Sequence, residues 1–142
     1  MKEVMRADER AARFLRAYLN KGVDYDKAFG NQCVDIYRQY AYDNGWAQYP
    51  PMGSGGAKSI RAMPALDGKV GQTETDLPAV GDVIIYDATQ SNPYGHVAVC
   101  VATLPGCHIV IEQNGFDPQG LAYLAKRENE SILRCIRRND DE

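Results

Sequence analysis

Three kinds of side chain in this sequence could together break an amide bond. Cys33 could supply the nucleophile, His96 or His108 the base, and Glu112 or Asn114 the group that holds the base in one tautomer. The reactive form of a cysteine is the thiolate. The first turn of a helix favours it, because unpaired backbone N–H groups there stabilise an anion. The same N–H groups could stabilise an oxyanion formed during attack. Taken in isolation, Cys33 reads first as a small apolar residue in a helix stripe.

These groups need elements to position them. Residues 8–20 are expected to form a helix with Ala11, Phe14, Leu15, Tyr18 and Leu19 as its apolar stripe and Gly22 as its stop. Its expected role is packing. A second helix is expected over 32–44, with Asn31 as N-cap and Asn44-Gly45 as exit. Its stripe of Cys33, Ile36, Tyr37, Tyr40 and Ala41 puts Cys33 in the first turn, and Asp35 lies off that stripe. Residues 49–56 read as a loop, 57–63 as a short helix, and 64–78 as a surface excursion without a period. Strands are expected at 81–88, 95–104, 108–114 and 131–137, with turns around 104–106 and 115–120. Helices first and strands after argue for an α+β fold, helices packed on an antiparallel sheet. One domain over 1–142 is expected: an N-terminal helix within 1–22, a nucleophile segment and helix within 23–45, and a sheet within 81–138.

Strand alternation narrows the choice of base. His96, Ala98 and Cys100 share one face of their strand, and Val97, Val99 and Val101 the other. In the next strand His108, Val110, Glu112 and Asn114 share a face. If the Val97 and Ile109 faces both turn from the site, opposite residues must sum to an even number. A sum of 210 sets His96 opposite Asn114 and Ala98 opposite Glu112, and requires an odd loop or a bulge. His96 is then close to both orienters, while His108 sits at the far end of the hairpin. The blander reading of the same residues is a polar strand end at rest.

Asp24, Asp26 and Asp35 form a second cluster. Hard cations such as calcium take several oxygens from closely spaced carboxylates and carbonyls. Counted from Asp24, the three aspartates fall at positions one, three and twelve, the acidic skeleton of an EF-hand-like loop. Phe29 stands where that loop has glycine, and Ala28 at position five offers only its carbonyl. An Asx-turn at Asp24 with solvated aspartates accounts for the pattern equally well.

The bulk properties exclude several classes. The 142 residues are 44% hydrophobic and 25% charged, ordinary for a globular protein. A net charge of −3 gives no basic face for nucleic acid or an anionic membrane. No apolar run approaches the roughly 20 residues of a membrane span, and the start has no apolar core of a signal peptide. The chain is therefore expected to stay in the cytoplasm where it is made, unless another system releases it. Cys33, Cys100, Cys107 and Cys135 match no zinc spacing and are expected to be unbridged.

Taken together, DYDKAFGNQCVD resembles the nucleophile segment of the CHAP family, cysteine- and histidine-dependent amidohydrolases and peptidases of bacterial and phage wall lysis. In that segment a D-x-D pair precedes Q-C-x-D. YGHVAV resembles the family's histidine strand and IEQNG its E-x-N strand, so the likeness runs from about Val23 to Gly120. The order and spacing of the three pieces make it specific.

The resemblance implies a papain-like fold and a peptidoglycan hydrolase, endopeptidase or N-acetylmuramoyl-L-alanine amidase, of endolysin or tail-associated type. It implies Cys33 as nucleophile, His96 as base, Glu112 as orienter, Asn114 as second orienter, and the Cys33 N–H with the Gln32 side chain at the oxyanion. It also implies calcium held by Asp24, Asp26 and Asp35 with the carbonyls of Ala28 and Gly30. Peptidoglycan is the expected partner and a monomer the expected state. Two alternatives remain at this point. An NlpC-type wall peptidase would use a second histidine as orienter, and a non-catalytic calcium- or wall-binding module would keep the fold without turnover.

Overall fold

The computed structural model describes residues 5–25, 32–48, 56–113 and 120–140, and two α-helices and six β-strands lie among them. Helix α1 (Ala7–Tyr18) buries Arg10, Ala11 and Phe14, with Asp8 and Glu9 in its first turn and Arg16 in its last, as the helix dipole favours. Helix α2 (Cys33–Asp43) buries Ile36, Tyr37, Tyr40 and Ala41, four members of the expected stripe. It starts one residue later than expected. Gln32, not Asn31, is the N-cap, because Asp35 at the third helical position reaches back and accepts the Gln32 N–H at 2.9 Å. Asn31 itself lies outside the described residues.

The strands are β1 (Gln72–Thr75), β2 (Val83–Tyr86), β3 (His96–Leu104), β4 (Cys107–Glu112), β5 (Tyr123–Glu128) and β6 (Ile132–Arg138). They form one antiparallel sheet in the order β1-β6-β2-β3-β4-β5. Two strands were not expected. β1 lies inside the stretch read as an excursion, so the sheet begins before residue 81; it is four residues long and mostly polar, and carries no apolar period. β5 is the opposite edge, and its YLAKRE alternation is hidden by charged side chains. Within 57–63 only Ala57–Ser59 is helical, as a single 3₁₀ turn.

Both faces of the central strands are covered. On one face Phe14, Ile36, Tyr37, Tyr40 and Trp46 pack with Val83, Ile85, Val97, Val99 and Ile111. On the other, Ile84, Tyr86, Ala98, Cys100, Val110 and Cys135 form a smaller cluster. This is why β2 reads as an unbroken apolar run instead of alternating. The Tyr40 hydroxyl donates to the Gly81 carbonyl at 2.7 Å and ties α2 to the turn that enters β2.

The β3–β4 hairpin sets the register at the site. Its turn is the pair Pro105-Gly106, with Gly106 at φ +77°, and it joins Leu104 opposite Cys107. A two-residue loop fixes an odd sum of 211 there. A bulge between Cys100 and Ala102 then changes the sum to 210, as in Cys100↔Val110 and Val99↔Ile111. The even register is therefore reached through a bulge, not through an odd loop.

Candidate active site

Cys33 is the first residue of α2 and is half-buried, so its thiol lies where backbone N–H groups are unpaired and is still reachable. The backbone before it is fixed at both polar groups. The Gln32 N–H goes to Asp35, and the Gln32 carbonyl accepts from the Gln113 side chain at 3.0 Å. The other three cysteines are also free thiols. Burial pushes Cys100 and Cys135 up to about 12, which leaves them unreactive.

His96 opens β3 opposite Tyr86 and is 7% exposed. The preceding Gly95 holds φ +73°, and a Cβ there would stand 2.5 Å from the Tyr86 carbonyl oxygen. Only glycine lets the chain turn into the strand at this point. The His96 ring lies beside Cys33, and its buried Nε2 faces Glu112 Oε1 at 3.4 Å, within ion-pair reach but without a hydrogen bond of good geometry. With Nε2 facing Glu112, Nδ1 is the ring nitrogen left for Cys33. Burial alone would lower the His96 pKa, but the adjacent Cys33 and Glu112 side chains outweigh it and raise it to about 9. The imidazole is thus a cation at neutral pH, set between the Cys33 side chain and the Glu112 carboxylate. Such a site can hold a thiolate–imidazolium pair.

Glu112 ends β4 with its carboxylate fully buried. Arg127 on β5 grips it with two hydrogen bonds of 2.6 and 2.7 Å, and the Tyr123 hydroxyl donates another at 2.7 Å. Burial favours the neutral acid; His96, Arg127 and Tyr123 reverse that and bring the carboxyl down to about 2. Glu112, not His108, is therefore the group against His96.

His108 pairs with Thr103 near the hairpin turn and is fully buried. It is less isolated than the hairpin alone suggests. Its Nε2 meets the Tyr86 hydroxyl at 2.7 Å and its Nδ1 meets Asn129 at 2.8 Å. Tyr86 in turn stacks on both histidines at about 5.8 and 5.9 Å and lies under the Arg127 guanidinium at 4.9 Å. Burial lowers the His108 pKa, so it is neutral, and its two hydrogen bonds are met by the Tyr86 hydroxyl donating and Nδ1–H donating to Asn129. Sequence reasoning missed Tyr86, Tyr123, Arg127 and Gln113. For Arg127 and Tyr123 the only signal was alternation in a strand that charge concealed.

Of the acidic cluster, Asp24 and Asp35 are described. Asp35 is fully buried against Gln32, a tighter role than its place off the stripe suggested. Asp24 Oδ1 is buried and has no hydrogen-bond partner among the described residues, as an oxygen facing a cation would be. Asp26, Ala28, Gly30 and Asn114 lie outside the described residues, and no cluster of three or more potential metal ligands occurs among the rest. No helix among the described residues is long and apolar enough to cross a membrane.

Known proteins resemble this chain in sequence and in fold. Endolysin PlyTW of Staphylococcus phage Twort is 25% identical over 150 residues, covering 95% of this chain and 31% of the relative. The chain thus spans about a third of the length of that protein. The crystal structure of wild-type endolysin LysIME-EF1 superposes with a TM-score of 0.63 at 19% identity, over 94% of this chain and 64% of the other. Ly7917 superposes with a TM-score of 0.66 at 21% identity, over 92% and 62%. A second Ly7917 structure, with the hydrolyzing product of MDP, gives 0.61 at 18%. At these identities the superpositions establish the fold, an α+β arrangement shared with endolysins. The CHAP domain profile matches residues 20–114, two thirds of the sequence, and includes Cys33, His96 and Glu112; the chain belongs to the CHAP domain family.

Proposed function

We propose that this chain is a cysteine-dependent peptidoglycan hydrolase that cuts an amide bond of the bacterial wall, as an endopeptidase or as an N-acetylmuramoyl-L-alanine amidase. The observation that carries the reading is His96 held between Cys33 and the buried carboxylate of Glu112. Family membership, the endolysin relative and the Ly7917 structure with a hydrolysis product support the same substrate class. A role in phage lysis or in a tail-associated lysin fits these relatives.

In this mechanism the Cys33 thiolate attacks the amide carbon, and the C=O electron pair moves onto oxygen. The Cys33 backbone N–H receives that oxyanion, with the Gln32 side chain beside it. The C–N bond then breaks as the His96 imidazolium gives its proton to the departing amine. A thioester remains. Neutral His96 takes a proton from water, the hydroxide attacks the thioester, and the acid leaves with Cys33 again a thiolate. Glu112 keeps the imidazole in one orientation and stabilises its cation throughout, with Asn114 as second orienter. Calcium would be held by the carboxylates of Asp24, Asp26 and Asp35 with the carbonyls of Ala28 and Gly30. The buried Asp24 oxygen and the all-oxygen donor set fit a hard cation. The ion would brace the segment leading into α2 and take no part in proton transfer.

The test is digestion of purified peptidoglycan by the wild type and by Cys33→Ala, with mass spectrometry of the products. New amino and carboxyl termini from the wild type alone are expected, and their identity names the bond. Undiminished release by Cys33→Ala would sink the proposal. Full chelation of calcium is expected to reduce turnover and the melting temperature; no change in either would remove the ion from the scheme.

A further inference from the structure

Gln113 directly follows the strand that carries Glu112, and its side chain is fully buried. Its amide is used completely. Oε1 accepts the Val23 N–H at 2.8 Å, and Nε2 donates to the Val23 carbonyl at 2.7 Å and to the Gln32 carbonyl at 3.0 Å. A primary amide has two N–H donors, and both are spent on backbone from a segment more than 80 residues away in sequence. Toward Val23 the side chain pairs as the backbone of a neighbouring strand would, giving and taking one hydrogen bond.

Successive residues of an extended chain turn to opposite sides. Glu112 turns to the base and fixes His96; Gln113 turns the other way and fixes Gln32, the residue before Cys33. Both partners of the proposed dyad are therefore referred to one short piece of backbone at the end of β4. The Val23 and Gln32 contacts also hold the two ends of the intervening segment 24–31 at a set separation. A residue needed only to fill this part of the core would have no use for three directed polar contacts, and an apolar side chain of the same size would serve.

We infer that Gln113 is a positioning residue: its amide pins both ends of the segment that delivers Cys33, and so sets where the nucleophile stands relative to His96. This rests on the proposed cysteine-dependent reaction. The thiol must meet the imidazole and the carbonyl carbon at near-contact distance, where a displacement of about 1 Å costs up to roughly 100-fold in rate. Gln113 touches neither substrate nor the reacting atoms, so its effect belongs in kcat and not in substrate affinity.

The experiment compares wild type, Gln113→Met and Cys33→Ala on soluble peptidoglycan fragments. It also measures the rate at which iodoacetamide alkylates Cys33 and the melting temperature of each protein. Gln113→Met keeps the length of the side chain and removes every polar contact. The expected result is a kcat roughly 10- to 100-fold lower, KM within about two-fold, and slower alkylation of Cys33 in a protein still folded at the assay temperature. A folded Gln113→Met with wild-type kcat, with its loss confined to KM, or with unchanged alkylation overturns the inference. Should that variant not fold, exchange of the Gln113 side-chain amide protons in the wild type decides. Exchange as slow as that of the α2 backbone supports the clamp, and exchange as fast as that of an exposed glutamine overturns it. Full activity of Cys33→Ala would instead overturn the underlying reaction, so the two failures are distinguishable.

Discussion

Replacing Arg127 by Met would test whether the buried carboxylate beside His96 is held as an anion by its partner on β5. Arg127 meets both oxygens of Glu112 at 2.6 and 2.7 Å, and the Glu112 side chain is fully buried. The Glu112 pKa is brought down from 4.5 to about 2, against burial, by His96, Arg127 and Tyr123. A difference of roughly 2.5 pH units at 1.36 kcal/mol each corresponds to about 3 kcal/mol of folding stability, shared among His96, Arg127 and Tyr123. Because the folded-state value is depressed, this contribution is complete above about pH 4.5 and is lost as pH falls toward 2. Deleting one partner of a buried ion pair independently suggests about 3–5 kcal/mol. The Arg127 side chain is 20% exposed, so water can reach the vacated place and the low end applies. Urea unfolding of Arg127→Met at pH 7 should therefore show a loss of about 3 kcal/mol, or roughly 10 °C in melting temperature for a chain of this size. Repeated near pH 2.5, the difference should narrow, since most of the linkage is then spent in the wild type as well. Turnover should fall too, because Glu112, the proposed orienter of His96, loses its anchor. Equal stability of the two proteins at pH 7, or a difference that does not shrink in acid, would refute the reasoning.

Two further outcomes follow from the same site. With His96 raised to about 9 by Cys33 and Glu112 against the effect of burial, the proposed mechanism requires activity to fall on the alkaline side with a midpoint near pH 9, as the imidazolium loses the proton it would give the leaving amine. The His96 ring signal in NMR should titrate lower in Cys33→Ala, and an unmoved titration would contradict the pairing. Tyr86→Phe keeps the ring stacked on His96 but leaves buried His108 Nε2 without its 2.7 Å partner. It should cost about 1–3 kcal/mol in urea unfolding with kcat within a few-fold, and a collapse of kcat would put the Tyr86 hydroxyl in the chemistry instead.

The fold was legible where burial imposed a period. The α2 stripe and the apolar run of β2 announced their elements because each buries a continuous surface. Alternation in β3 and β4, with the requirement that both apolar faces turn one way, led to the register of 210, and the bulge at Cys100/Ala102 is what reconciles it with a two-residue turn. β1 and β5 escaped because they are sheet edges. An edge strand pairs on one side only, and charged residues there cost nothing in burial while they blunt unwanted pairing. Lys126, Arg127 and Glu128 carry no apolar period, although Arg127 turns inward to Glu112.

The site divides along the same physical line. Cys33, His96 and Glu112 stand at element ends; the hairpin register sets His96 near Glu112, whereas local pattern makes Cys33 a stripe residue and only the resemblance to the CHAP family ties it to the other two. Gln113, Arg127 and Tyr123 act across folded distance, and nothing in their neighbourhood names their partners. Gln113 even sits on the face opposite Glu112, where alternation assigns it to the core, and in the core it is. What local pattern does not disclose is that a buried amide must spend its donors and acceptor, and that here they are spent on Val23 and Gln32. A polar residue forced to the apolar face of a strand, one step from a residue of chemical interest, is the signal that remains. Its partners are set by tertiary packing, and so are those of the Glu112 carboxylate one residue earlier.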